Sequence, residues 1–205
     1  MTPRHWFFRR WFFNGFSPRL FLAGGLLVLL SACATTPPAV KPALRPAYPE
    51  QLSFVIAGRI AVKHQAERSS ATVRWKHSFE ADEILLFAPL GKVMARINRD
   101  HQGLVLDTPD KHYTAQNAEE LTQQALGWRL PLSGLNYWVL ALPKPTSVFD
   151  VERDANGQIT LLRQDGWTIG YTRYQTVAPE SLPLRLNMQR DDLEIKLLID
   201  EWEMP

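Results

Sequence analysis

Cys33 is the only cysteine of this 205-residue chain, and the residues before it define the chemistry of its thiol. It closes the stretch Leu30-Ser31-Ala32-Cys33, behind Arg4, Arg9, Arg10, Arg19 and an apolar run from Leu20 to Leu30. A basic start, a short apolar core and small residues at a cleavage point make a secretory signal peptide. A cysteine directly after the small residues is the lipobox of bacterial lipoproteins. The expected chemistry is lipidation of the Cys33 thiol, with signal peptidase cutting before it. A membrane-spanning anchor is the weaker reading: the run is 11 residues long, against the ~20 a spanning helix needs. Arg9, Arg10 and Arg19 interrupt the aromatic residues that would extend it.

Other residue types able to do chemistry are present but not assembled. His64, His77, His101 and His112 are scattered, without the close helical spacing of metal pairs. Asp82 and Glu83 adjoin, yet neighbours on a strand face opposite ways. His77 shares a strand face with Trp75 and reads as a packed side chain. Asp191-Asp192 fits a turn and Glu119-Glu120 a helix start. No Gly-x-Ser-x-Gly elbow and no glycine-rich phosphate loop occurs. The sequence therefore predicts no catalytic set, no metal and no cofactor.

The chain from Cys33 onward has 173 residues, enough for one domain with a sizeable core. Its formal net charge is +2, but Arg4, Arg9, Arg10 and Arg19 lie ahead of Cys33 with no acids, which leaves −2 for the rest. A nearly neutral domain does not favour nucleic acid as a partner. With Cys33 lipidated no disulfide is available, so stability must come from packing. Ala34 follows Cys33; by resemblance to Gram-negative lipoproteins, which usually carry aspartate there when held in the inner membrane, it implies sorting to the outer membrane. Acyl chains at ~0.8 kcal/mol per buried methylene make such an anchor almost permanent. Residues 33–50 read as a tether, crowded by Pro37, Pro38, Pro42, Pro46 and Pro49. At ~3.1 Å per residue it reaches roughly 50 Å. The folded part is then 51–205.

That part is dominated by period-two patterns. Phe54, Ile56, Gly58, Ile60 and Val62 share one face; Ala71, Val73 and Trp75 another; Val93, Ala95 and Ile97 a third. Further strands carry Leu104 and Leu106, then Ile159 and Leu161, then Trp167, Ile169 and Tyr171. Leu184, Leu186 and Met188 precede a last strand with Leu193, Ile195, Leu197 and Ile199. Asn156-Gly157 and Asp165-Gly166 are hairpin signals. Two helices interrupt: one capped by Asn117 and ending before Gly127, one capped by Ser133, carrying Leu135, Trp138 and Leu142 and stopped by Pro143. The pattern predicts a mainly β, curved antiparallel sheet with short helices laid across one opening. Leu85, Phe87 and Leu198 put apolar residues on both faces. Trp202 has the parity of Glu194 and Lys196, so it requires a bulge, a strand end or exposure.

Two features stay open on residues alone. Trp75, Trp128, Trp138, Trp167 and Trp202 make either a filled aromatic core or the wall of a greasy cavity. The apolar tip Pro89-Leu90-Gly91 either folds back or projects toward another hydrophobic phase.

The lipobox, the strand Phe54-Val55-Ile56-Ala57-Gly58-Arg59-Ile60-Ala61-Val62, the turn Pro89-Leu90-Gly91, Tyr113-Thr114-Ala115 before Ala118-Glu119-Glu120, and Pro131-Leu132 leading to Trp138 and Leu142-Pro143 resemble, in order, the LolB family. The resemblance runs from Cys33 to about Trp202. It implies an incomplete antiparallel β-barrel with helices as a lid over an apolar cavity. It implies an outer-membrane receptor that takes lipoproteins from the periplasmic carrier LolA and places their acyl chains in outer-membrane lipid. Leu90 is then the projecting leucine of membrane delivery, and Trp75 and Trp138 match tryptophans of the interior and lid. Ile84 and Leu86 join them as cavity candidates from strand parity. A monomer is expected. The rival readings are a lipid-anchored assembly factor binding outer-membrane proteins, a lipocalin-like carrier of small hydrophobic molecules, and a hydrolase assembled from distant residues.

Overall fold

The computed structural model describes residues 44–45 and 53–204. Cys33, the signal segment and most of the expected tether lie outside the described residues.

Long alternating runs form long strands. β1 (Phe54–His64) and β2 (Glu67–His77), 11 residues each, make a hairpin, followed by β3 (Asp82–Phe87), β4 (Val93–Asp100), β5 (Gly103–Asp107) and β6 (His112–Ala115). Helices α1 (Ala118–Leu126) and α2 (Leu132–Trp138) intervene. β7 (Phe149–Arg153), β8 (Ile159–Gln164), β9 (Trp167–Tyr174), β10 (Pro183–Arg190) and β11 (Leu193–Glu203) complete the chain. All pair antiparallel in one sheet ordered β6-β5-β4-β3-β2-β1-β11-β10-β9-β8-β7. β6 and β7 are its two edges, so the barrel is unclosed, as expected.

The centre of the sheet is held by the pairing of β1 with β11, whose register shifts between Ala57 and Gly58. Ala57 faces Glu201 and Gly58 faces Ile199, which leaves Asp200 as an extra residue. This bulge reverses the parity of the end of β11 and turns Trp202 inward, where it is 8% exposed. The bulge brings backbone so close that a Cβ on Gly58 would lie 2.2 Å from the Leu198 carbonyl oxygen. Arg59 clamps the outer side through Asp200 at 2.9 Å.

α1 follows its sequence signals. The Asn117 side chain accepts from the Glu119 amide at 2.8 Å, and Gly127 ends the helix at φ 79°. Thr122, fully buried, donates to the Ala118 carbonyl and accepts from the Leu130 amide, tying the next segment back to the helix. α2 departs from expectation. Its cap position is Pro131, Ser133 makes no cap, and the helix stops at Trp138. Ala141, at φ 52°, turns the chain before Pro143 can act.

Two other expectations change, and two strands go unannounced in the sequence. Leu162, not Leu161, is the fully buried residue of β8, because the register against β7 slips between Glu152 and Arg153. β6 and β7 carry no apolar alternation to announce them: β7 is FDVER, mostly exposed. Leu44, inside the segment read as tether, bridges to Ser181, and the Arg45 amide donates to Glu180 at 2.8 Å.

Candidate functional site

The inner face begins with aromatic packing at the start of β1. Phe54 meets Trp75 edge-on at 5.2 Å and Trp202 at 5.6 Å between ring centroids. Trp75 is fixed by its polar edge: Nε1 donates to Asp82 Oδ1 at 2.8 Å. The same oxygen bonds His77 Nδ1, and Arg99 Nε donates to Oδ2. Burial pushes the Asp82 carboxyl up, but the hydrogen bonds from His77, Trp75 and Arg99 outweigh it and hold Asp82 below its ordinary value. Sequence reasoning passed over this cluster. Asp82 shares the inward parity of Ile84 and Leu86, and a carboxylate on a buried face needs partners. The hydrogen bonds of the cluster end on an indole and a guanidinium, and no hydroxyl or thiol enters them. Among the described residues no three His, Cys, Asp or Glu side chains gather as a metal site.

Above this layer lies a wholly apolar pocket. Trp75, Ile84 and Leu86 line it from the sheet, and Leu126, Trp128 and Leu135 from the helical segment. Its volume is about 30 Å³, room for one water-sized body and far too small for a fatty chain. The spacious hollow implied by the resemblance is therefore not open in this structure. Side chains from α1 and the segment after it occupy the space. Period-two alternation reports which face a residue takes, not how much room that face encloses.

A second space adjoins the first. It is a groove of about 400 Å³ between the α1 C-terminus and strands β1 to β4, with Ile60, Val62 and Ala95 in its wall. Leu86, Leu126 and Trp128 border both spaces. Leu126 and Trp128 are half-buried and flank Gly127. They stand between an open groove and a closed apolar pocket.

Trp138 sits elsewhere. It is 1% exposed, packs on Trp167 at 6.1 Å, and donates from Nε1 to Gln164 Oε1 at 2.9 Å. Gln164 also bonds the backbone of Lys144 and Ser147, and the Tyr171 hydroxyl donates to the Trp138 carbonyl. Trp138 thus pins α2 to β8 and β9 and is not among the pocket-lining residues. Trp167 and Trp202 are likewise buried in packing; Trp202 Nε1 donates to the Pro183 carbonyl.

Leu90 is the opposite case. The β3–β4 turn is closed by Ala88 N donating to Lys92 O and Gly91 N to Ala88 O, both at 2.8 Å, with Gly91 at φ 80°. These bonds brace the turn and leave the leucine 98% exposed. A bare leucine on a braced turn contributes nothing to the core.

The profile of the family described as "Outer membrane lipoprotein LolB" matches residues 52–202. The chain belongs to the LolB family of outer-membrane lipoproteins. Among its relatives, the "Outer-membrane lipoprotein LolB" of Nitrosomonas europaea is 38% identical over 190 residues, covering 87% of this chain and 90% of that one. That of Azoarcus sp. (strain BH72) is 36% identical over 178 residues, covering 86% and 90%. A LolA superfamily protein of Nitrosomonas europaea aligns in structure over 79% of this chain and 89% of its own, with TM-score 0.47 and 10% identity. Among the described residues no helix is long and apolar enough to cross a membrane.

Proposed function

We propose that this chain is a lipid-anchored receptor of the outer membrane that accepts lipoproteins from a LolA-like periplasmic carrier and delivers their acyl chains into the bilayer. Cys33 carries the anchor, and the stretch from Cys33 to Leu44, where the chain bonds to the domain, sets how far the domain ranges from the membrane surface. The observation that carries the reading is the apolar inner pocket, which adjoins an open groove where Leu126 and Trp128, together with Ile60 and Leu86, border both. An acyl chain in water is unfavourable by about 0.8 kcal/mol per methylene, so it must pass from one apolar surface to the next. The chain enters by the groove, displaces Leu126 and Trp128, and occupies the space they leave against Trp75, Ile84 and Leu86. Transfer runs downhill from carrier to receptor to bilayer, with no bond broken and no nucleotide consumed. Leu90 enters the acyl layer and brings the loaded pocket to it.

The test mixes carrier-bound lipoprotein with the mature chain and then adds outer-membrane vesicles. The wild type takes the cargo and inserts it. Leu90→Glu takes the cargo but inserts at least tenfold less, since burying a leucine contributes ~1.5–3 kcal/mol and a carboxylate opposes entry. Failure of the wild type to take cargo rejects the receptor role; equal insertion by Leu90→Glu rejects the role of the tip.

A further inference from the structure

The outer face of the sheet carries a groove of about 580 Å³ crossing β2, β1, β11, β10 and β9. This falls within the ~300–1,000 Å³ range of ligand sites. Arg59, Ala61, Lys196 and Leu198 give the groove the outward parity of β1 and β11, while Ile60 and Leu197 border both it and the inner pocket. Its lining includes three cations, Arg59, Arg185 and Lys196, and no acid. Asp200 engages Arg59 at 2.9 Å and Glu194 engages Lys196 at 2.8 Å. Arg185 has no ion-pair partner among the described residues, and its register partner on β9 is another cation, Arg173. The groove therefore holds an uncompensated positive charge. Its floor is apolar where Leu198 and Ala61 meet it. Leu198 breaks the alternation of β11, and packing against the inner core does not explain an apolar side chain there; the groove does. Pro89 forms one wall, and the next residue is Leu90.

We infer that this outer groove binds the headgroup of an anionic phospholipid while Leu90 is inserted among the acyl chains. The inference rests on the function proposed above only in taking Leu90 as the membrane-contacting tip. Consecutive Cα atoms are ~3.8 Å apart, so a lipid packed against Leu90 has its headgroup within reach of the wall at Pro89. The uncompensated Arg185 supplies charge complementarity, the paired Arg59 and Lys196 supply further donors, and Leu198 and Ala61 accept the glycerol end. The groove orients the domain on the bilayer and selects membranes by their charge.

The test uses the mature lipidated chain with Leu90→Cys. Acylated Cys33 has no free thiol, so an environment-sensitive dye labels the tip alone. The labelled chain is reconstituted into vesicles of phosphatidylcholine and phosphatidylethanolamine, with or without phosphatidylglycerol. Phosphatidylglycerol raises the ratio of inserted to withdrawn tip, added salt reduces the gain, and Arg185→Gln lowers it about fivefold. Lys92→Gln, at the tip but outside the groove, keeps most of the gain. A ratio independent of phosphatidylglycerol overturns the inference. So does a gain retained in Arg185→Gln and lost in Lys92→Gln, which places the charge effect at the tip. The readout contains no cargo, so failure of cargo uptake sinks the receptor reading without touching this result.

Discussion

Trp128→Ala is expected to weaken the fold and tighten acyl-chain binding at once. The closed pocket holds about 30 Å³, so a chain enters only when the partition moves. Fully burying a large apolar side chain contributes ~1.5–3 kcal/mol; Leu126 and Trp128 are half-buried, so displacing both costs about 2–3 kcal/mol. The open arrangement is then populated roughly once in 30 to 150 molecules, and apparent affinity is reduced by the same factor. Removing the indole abolishes its share of that barrier, about 1–1.5 kcal/mol, and lowers the apparent Kd of a fluorescent fatty-acid probe about fivefold to tenfold. The same change removes packing and reduces unfolding free energy by about 1–2 kcal/mol in urea titration. The two effects have opposite signs, which separates a gate from a wall. If Trp128→Ala loses probe affinity in step with stability, the indole is part of the binding surface and the gating argument is wrong.

Gly58→Ala places a Cβ 2.2 Å from the Leu198 carbonyl oxygen, a clash with backbone that no rotamer relieves; a loss of about 3 kcal/mol or more is expected in urea unfolding. Asp82 is held below its ordinary value in the folded chain, so its contribution to stability is present above the unfolded value of about 3.9 and is lost as pH falls through the lower folded value. Asp82→Asn, which leaves His77 and Arg99 in place, should therefore be less stable than wild type at neutral pH and show a flatter stability curve below about pH 4, measured by denaturation across pH. Gln164→Ala strands the Trp138 indole and the Lys144 and Ser147 backbone groups; a loss of about 2–3 kcal/mol in the same assay is expected.

What the sequence made legible follows from where one face of an element is buried and the other is wet. β1, β2, β9 and β11 alternate because they lie inside the sheet over a packed inner face, with Leu198 an exception on β11; parity left Trp202 a bulge, a strand end or exposure, and Asp200 supplies the bulge. β6 and β7 are edge strands with little to bury, and nothing in FDVER announces β7. The Leu161 and Leu162 parity depends on a register slip that only the neighbouring strand defines. Trp138 was readable as buried but not as bound to Gln164, because that partner lies 26 residues away. The exposure of Leu90 was ambiguous on residues alone, since a braced turn and a folded-back turn share the same letters. Cavity volume was the least legible quantity of all.

The closed pocket is what physics requires of an empty receptor. An apolar hollow wide enough for a fatty tail, standing open to water, would keep the hydration penalty that folding removes elsewhere, so the side chains on either side of Gly127 fill it. The collapse must also be reversible by cargo. Ten methylenes taken from water contribute on the order of 8 kcal/mol, well above the ~2–3 kcal/mol that opening the partition costs. A cargo chain can therefore open its own site, whereas a small apolar molecule offering only two or three methylenes cannot. This difference separates a lipoprotein receptor from a lipocalin-like carrier of small ligands. Opening costs every chain the same, so across a series of fatty acids Trp128→Ala should tighten each member by the same factor and leave the gain per added methylene unchanged. A series in which no member binds more tightly to Trp128→Ala would refute the partition.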